Sequence, residues 1–495
     1  MEIVMSEVWL MLPVFLPVLL GLIFPFIKCL NNRQRRIGYI GTSLVLCGVL
    51  SLAVICNLGQ DASFTLWSMT EELTITFRVD GMSKVFAVLT TFVWVTVGFY
   101  AFGYMKHEEE EEKFYRYYLI VYGVLLGLDF SANLISMYLF YEMMTLSSLP
   151  LVLHSRTKEA VMAGLKYLFY SIAGAFLSLL AIFFFYQYGT TMEFTAGGVL
   201  DMAKVAGNEQ VLLLVIFLAI VGFGCKAGMF PLHAWLPTAH PVAPSPASAV
   251  LSGIITKAGV LAIIRVVFYI VGADFIRGTW VQYAWIGLSL FTVFMGSMLA
   301  YLEPLLKKRL AYSSVSQVSY VLFGLSVLHP VGALGALLHV VFHSLIKNTL
   351  FLTAGSIIEQ TGCKRVDELT GIGKKMPGTI WCLTLAGLAL VGVPPLSGFV
   401  SKWYLASGAL QAEIGFLGWL GPVVLLISAL LTAGYLFPIT MRGFLPGNSE
   451  VRYERCEVPK IMLVPTILLT LGAVLLGIFA SPLTEALNKL IETFL

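Results

Sequence analysis

Two stretches decide the fold: IVGFGCKAGMFPLHAWLP, residues 220–237, and LAGLALVGVPPLSGFVSKWYL, residues 385–405. Both are apolar runs interrupted by glycine and proline with a lysine beside the interruption. Gly222, Gly224, Gly228 and Pro231 surround Lys226, and Gly392, Pro394, Pro395 and Gly398 precede Lys402. Proline removes an amide donor and clashes with the preceding turn, so each run reads as a helix broken in its middle. Helices break at membrane depth only where the freed backbone is buried in protein or faces a water-filled cavity. Paired interruptions of this kind point to a transport site.

The rest of the chain is built to match. Hydrophobic residues make up 58% of it, charged residues 12%, and the mean hydropathy is +0.87, which excludes a soluble protein. About fourteen apolar segments, each long enough to cross roughly 30 Å of hydrocarbon, follow one another with almost nothing left for a soluble domain. The expected fold is an all-α polytopic membrane protein. The first apolar run continues as a span, so no cleavable signal peptide is expected. The two broken helices are the seventh and twelfth segments. Their odd separation makes equivalent helices run in opposite directions, the trace of two inverted five-helix repeats. The predicted divisions are 1–105 for the first three helices, 116–275 for the first repeat (helices four to eight), 278–445 for the second (nine to thirteen), and 446–495 for a C-terminal helix.

Lysine and arginine fall on alternate loops with a strong bias. Twenty lie on one set (Lys28 to Arg36, Lys106 to Arg116, Arg156, Lys158, Lys307 to Arg309, Lys364 to Lys375, and Arg442 to Lys460). Five lie on the other: Arg78, Lys84, Lys204, Arg277 and Lys489. The positive-inside rule makes the richer set cytoplasmic and puts both termini outside. The acidic run Glu108–Glu112 lies in a cytoplasmic loop and reads as a solvated face, or as a docking point for a basic partner. Residues 62–80 break the helical pattern; TITFRVDGM (74–82) alternates like a strand and ends in an Asp-Gly turn signal, predicting a small outer β-hairpin. The seven cysteines (29, 47, 56, 225, 363, 382 and 456) show no metal or disulfide spacing.

Six basic side chains remain inside apolar segments: Lys166, Lys226, Lys257, Arg265, Lys347 and Lys402. Glu142 joins them in LISMYLFYEMMTLSSL, residues 134–149. An ionisable group there costs roughly 2.5–3.5 kcal/mol on insertion scales, so such residues mark ion or proton paths. In LLHVVFHSLIKNTLFL (337–352), His339, His343 and Lys347 are four residues apart and share one helix face. No carboxylate or cysteine completes a metal-ligand set on that face. Lys257 sits in the middle of VLSGIITKAGVLAII (250–264), too deep to snorkel. Lys166 and Arg265 are nearer their segment ends, where long side chains reach the interface. Ser313, Ser314, Ser316, Gln317 and Ser319 form a polar stripe that supports water or packs helices. Lys166, His233, His240 and Ser316 stand as supporting candidates.

At HAWLPTAHPVAPSPASAVLSGIITKAGV (233–260) the chain resembles the antiporter-like, proton-translocating subunits of respiratory complex I, of Mrp cation/proton antiporters and of membrane-bound hydrogenases. The likeness continues in LFYEMMTLSSLPLV (139–152), KKRLAYSSVSQVSY (307–320), HSLIKNTLFLTAGSI (343–357) and GVPPLSGFVSKW (392–403), in the family's order. In length and segment count it looks most like the D-type subunits of Mrp antiporters and their hydrogenase counterpart. Tyr141 departs from the pattern, many relatives carrying Trp before the glutamate. The resemblance implies that Glu142 and Lys226 form a coupled acid–lysine pair. It further implies that Lys257 bridges two half-channels, that His343 and Lys347 are the central relay, and that Lys402 is the terminal basic group. Two charges about 4 Å apart interact by ~4 kcal/mol at an effective dielectric near 20. Movement of Glu142 would then switch Lys226 between holding and releasing a proton.

Three readings follow: a proton-translocating subunit driven by redox chemistry elsewhere in a complex, an Mrp-type sodium/proton exchanger subunit, or an inert member of a membrane arm. The last leaves the buried charges without a purpose. GFGCKAG lies inside an apolar span rather than between strand and helix, so it is no nucleotide fingerprint. Redox cofactors are expected on partner subunits, if anywhere, with none in this chain. The expected partners are further antiporter-like membrane subunits, hydrophilic redox subunits and lipids of a bacterial or archaeal cytoplasmic membrane.

Overall fold

The computed structural model describes residues 7–27, 32–59, 62–70, 72–445 and 454–495. Lys28, Cys29 and Arg452, counted above, lie outside the described residues. In chain order the helices are α1 (Met11–Ile23), α2 (Arg33–Asn57), α3 (Gly81–Tyr104), α4 (Glu111–Asp129), α5 (Leu134–Val152) and α6 (Lys158–Tyr188). The first broken pair follows as α7 (Glu209–Ala227) and α8 (Leu236–Val242). Then come α9 (Ser245–Val271), α10 (Trp280–Leu302), α11 (Leu306–Ser326) and α12 (Pro330–Thr361). The second broken pair is α13 (Pro377–Val391) with α14 (Ser397–Gln411). The chain ends in α15 (Phe416–Phe444), α16 (Lys460–Ile478) and α17 (Ser481–Ile491).

Among the described residues, ten of these helices are long and apolar enough to cross a membrane: α2, α3, α5, α6, α7, α9, α10, α12, α15 and α16. The molecule is a multi-pass membrane protein. Its packing runs opposite to a soluble globule, with large apolar side chains on the outside. On α6, Met162, Leu165, Phe169, Ile172, Phe176, Leu180 and Phe183 are exposed at steps of three and four, one stripe suited to lipid. The two most enclosed spans are α9 and α12, and they carry Lys257 and the His339, His343, Lys347 face. The charge-bearing helices therefore form the axis and the apolar ones the wall.

α9 is not a plain α-helix, since Leu251–Ile255 and Arg265–Val271 are π turns flanking Thr256–Ile264. Nothing in the residue pattern announced this. π turns widen the helix and are frequent at functional sites. A hairpin is present as β1 (Ser63–Ser68) and β2 (Thr74–Arg78), antiparallel with Ser63 opposite Arg78 and a bulge between Thr65 and Trp67. Asp80 does not make the turn that Asp-Gly suggested. Its carboxylate instead caps α3, accepting from the Ser83 amide at 2.8 Å. The single C-terminal helix expected over 446–495 is two among the described residues, because Ala480 and Pro482 open the short α17, whose Leu487 and Ile491 are buried.

Arg265 does not snorkel. Its guanidinium is buried and makes a two-pronged pair with Asp80, Nη1–Oδ2 2.6 Å and Nη2–Oδ1 2.8 Å, and donates to Ser83 Oγ at 3.1 Å. The Phe194 and Tyr269 rings lie 4.9 and 4.8 Å from it. Burial pushes the Asp80 carboxyl up, but Arg265, the Ser83 amide and Arg78 outweigh it and hold the group at about 2. This pair fastens the hairpin end of α3 to the last π turn of α9.

Candidate functional site

The spacing of α12 brings its two histidines onto one face, where their rings stack at 5.7 Å. Lys257 Nζ, from α9, lies 2.8 Å from His343 Nδ1 and donates to Ser252 O at 2.7 Å. One turn along α12, His339 Nδ1 bonds Ser401 Oγ of α14 at 2.9 Å, and its ring stacks on Tyr320 of α11 at 5.6 Å. The ammonium of Lys402, the neighbour of Ser401, lies 5.2 Å from the centre of the same Tyr320 ring. A run from Lys257 through His343 and His339 to Ser401 and Lys402 is thus assembled from α9, α12 and α14, with α11 packed against it.

The break between α13 and α14 is what seats Lys402. Gly392 ends α13 at φ +94°, a conformation glycine adopts freely. The freed carbonyls of Leu390 and Val391 then accept from Lys402 Nζ at 2.6 and 2.9 Å. A helix C-terminus is the negative end of its dipole and favours a cation. The break after α7 is built differently. Gly228, at φ +76°, ends that helix, and the Cys225 carbonyl is taken by Trp235 Nε1 at 2.9 Å. Pro231 follows in the connecting turn before α8, and Pro394 and Pro395 occupy the corresponding turn before α14.

Lys226, fully buried in the last turn of α7, donates to Tyr167 Oη at 2.7 Å and Ser171 Oγ at 2.8 Å, both from α6. Its ammonium also lies 4.0 Å over the Tyr167 ring. Among the described residues no ion pair joins it to Glu142. That residue is half-buried on α5, with Oε1 buried and without a protein partner. The expected acid–lysine pair is therefore apart in this conformation, with Tyr167 between α5 and Lys226, its hydroxyl also 2.7 Å from Ser148 Oγ. Gly259 of α9 allows α7 close by: a Cβ there would lie 2.7 Å from the Ala227 amide and 3.0 Å from Lys226 Cβ. The helices of Lys226 and Lys257 thus touch, while each ammonium keeps its own set of partners.

Lys347 forms a branch, donating to Leu310 O at 3.0 Å and Ser313 Oγ at 2.7 Å, with Ser313 in turn 2.6 Å from Tyr435 Oη. Of the supporting candidates, His240 is buried against Phe351 with neither ring nitrogen bonded to protein. Ser316 belongs to a separate knot with Ser297 and Ser428. His233 stacks on Phe230 in the break after α7. Lys166 is half-buried over Tyr170 on the outer wall, away from the run. Gly224 lies in the last turn of α7, where it packs against Met229.

Residue patterns missed several buried groups. Tyr167 and Ser171 look like ordinary apolar-helix residues, and only their four-residue spacing hinted at a shared face. Asp129, bonded by Thr90 at 2.9 Å, is buried at the end of α4. Glu359, in the last turn of α12, has a side chain only 10% exposed.

A sequence profile of the family described as NADH:quinone oxidoreductase/Mrp antiporter, TM matches residues 131–432. A second, described as NADH-Ubiquinone oxidoreductase (complex I), chain 5 N-terminus, matches residues 67–118. The N subunit of the NADH-quinone oxidoreductase of Desulforudis audaxviator is 31% identical over 452 residues, 88% of this chain and 88% of that one. The D-type Na(+)/H(+) antiporter subunit of Bacillus subtilis is 27% identical, covering 98% of this chain and 97% of its own. In the structure of the membrane-bound sulfane sulfur reductase, an archaeal respiratory membrane complex, one chain superposes with a TM-score of 0.86 at 22% identity. That superposition covers 99% of this chain and 98% of the other, and speaks for the fold.

Proposed function

Because this chain belongs to the NADH:quinone oxidoreductase/Mrp antiporter transmembrane family, we propose that it carries protons through the membrane as one subunit of a multi-subunit complex. In this reading it has fourteen membrane segments arranged as two inverted repeats, and it sits in a bacterial or archaeal cytoplasmic membrane with both termini outside. The ten long apolar spans account for most of the segments. The shorter α1, the more polar α4 and α11, and the broken α13–α14 supply the remaining four.

The observation that carries the reading is the run of Lys257, His343, His339, Ser401 and Lys402 in the two most enclosed helices and their neighbours. A neutral imidazole that accepts at Nδ1 carries its hydrogen on Nε2. A proton passed from the Lys257 ammonium to His343 Nδ1 can therefore leave from Nε2, which is buried and free of protein partners, as is Nε2 of His339. Proton exchange along such a run needs only bond rearrangement and small side-chain motions. Lys226 feeds Lys257 across the α7–α9 contact. Glu142 controls Lys226 electrostatically as the Tyr167 link opens and closes, and Lys402 discharges on the far side.

This chain would hold no redox cofactor; such groups would reside on partner subunits. Its full-length match to a Na(+)/H(+) antiporter subunit favours a second reading, in which sodium is the counter-ion and moves on a partner. Purifying the native complex separates the two: nickel, iron–sulfur or flavin signals mark a redox-driven pump, and transport driven by a sodium gradient without them marks an exchanger. For the path itself, Glu142→Ala and Lys226→Ala should each abolish coupled proton transport in vesicles while the complex still assembles. Wild-type pumping by both would refute it.

A further inference from the structure

On the face that carries the Lys- and Arg-rich loops, the last turn of α12 presses Glu359 against His107, Oε1 to Nδ1 2.7 Å, with the imidazole 60% exposed and the carboxylate 10%. The second carboxylate oxygen, Oε2, is buried and has no protein partner. Three residues deeper on α12, Ser356 Oγ lies 3.0 Å from Tyr100 Oη of α3, which also donates to Leu352 O at 2.9 Å. Tyr104 stacks on Tyr100 at 6.0 Å, and its hydroxyl accepts from Ser245 Oγ at 3.4 Å. Gly355 permits this meeting, since a Cβ there would lie 2.4 Å from Ser245 Oγ and 3.2 Å from Tyr100 Oη.

Ser245 opens α9, and Ser248, Ser252 and Thr256 follow at steps of three and four, lining one side of the helix up to Lys257. Ser248 Oγ donates to His240 O at 2.9 Å, Ser252 Oγ lies 2.6 Å from Ser314 Oγ, and Ser252 O takes the Lys257 ammonium. Along the same α9–α12 seam, both nitrogens of His240, Oδ1 of Asn348 and Oγ of Ser344 are buried without protein partners. Buried polar atoms clustered in this way are the groups that ordered water satisfies. A core of packed helices has no structural need for such a row, because each unmet group costs about 1–3 kcal/mol.

We infer that His107 and Glu359 are the proton-collecting pair on this face, and that Tyr100, Tyr104, Ser356 and the Ser245–Thr256 stripe conduct the proton to Lys257. The inference rests on the proton-carrying reading above. Glu359 meets solvent through His107. The other titratable groups near it are Glu108, beside His107, and Tyr100 and Tyr104 of α3. A proton taken by the imidazole passes to Oε1, the carboxyl turns, and Oε2 releases it inward towards Ser356 and Tyr100. The carboxylate is regenerated at each step, so no co-reactant is consumed.

The test uses the native complex in vesicles with this face outward, energised by whatever drives the wild type, with initial proton uptake measured from about pH 6 to pH 9. Glu359→Gln should slow uptake by ~10-fold or more at the alkaline end and recover towards acid. Glu359→Asp should retain most of the rate, and His107→Gln should displace the pH profile. Tyr100→Phe, which keeps the packing, should slow uptake several-fold and decides the matter if Glu359→Gln fails to assemble. An assembled Glu359→Gln complex with wild-type rate and profile overturns the inference while leaving the central path standing. Equal loss in Glu359→Gln and Glu359→Asp with an unchanged profile also overturns it, marking a structural clasp. No uptake by the wild type overturns the proton-carrying reading and this inference together.

Discussion

Four lysines, at 226, 257, 347 and 402, are held by hydroxyls, carbonyls and one imidazole, and none is ion-paired with a carboxylate among the described residues. Partners of this kind accept from an ammonium and also from a neutral amine, without the fixed opposite charge of a carboxylate, which suits groups that gain and lose protons. Arg265 is the contrast: its two-pronged bond to Asp80 is a fixed charge pair. Asp80→Asn should cost ~3–5 kcal/mol, because it leaves a buried guanidinium uncompensated, and should lower the unfolding temperature of the purified complex. The Asp80 carboxyl is depressed below its ordinary value. Its stabilising contribution is therefore complete above about 4, unchanged across neutral pH, and lost as pH falls through about 2. The lone charges were legible in the sequence because each stands in a long apolar run. Their partners were not: Tyr167 and Ser171 lie 59 and 55 residues before Lys226, and Asp80 lies 185 before Arg265.

Helices α9 and α12 do most to set the geometry, and their neighbours approach through small residues. A side chain at Gly259 would press on the Ala227 amide and Lys226 Cβ. Gly259→Val should destabilise by ~1–3 kcal/mol through overpacking and should separate Lys226 from Lys257. The expected outcome is slower proton transport with a lowered unfolding temperature; an unchanged transport rate would show that the α7–α9 contact is not part of the path. Both broken helices were readable from Pro231, Pro394 and Pro395, each lacking the amide that a helical ladder uses, together with Gly228 and Gly392, which end the preceding helices at positive φ. The π turns of α9 were not, since LSGII and RVVFYIV carry no residue that a plain helix would refuse. They lie in the most enclosed of the long spans.

For the molecule as a whole, the proposed orientation puts the face rich in Lys and Arg in the cytoplasm. Native cysteines provide the check: Cys56 is exposed at the end of α2, and Cys363 is partly exposed just past α12, on the opposite face in this assignment. A membrane-impermeant maleimide should modify Cys56 in intact cells and Cys363 only in inverted vesicles, as read by mass spectrometry of the peptides. The reverse pattern would invert the molecule and put His107 and Glu359 on the outer face. The apolar wall and polar axis were visible as composition and as charges placed at mid-segment. The joining of Lys257 to His343 was not, because it depends on how two helices separated by 86 residues rotate against each other.

The most direct measurement is proton transport by the reconstituted complex carrying Lys257→Met, alongside its unfolding temperature. Methionine fills the space of the lysine stem without a titratable group, and the desolvation cost of the buried ammonium that it removes offsets the partner lost to Ser252 O and His343 Nδ1. The expected outcome is an assembled, equally or more heat-stable complex that no longer moves protons. An assembled complex that moves them at the wild-type rate would contradict it.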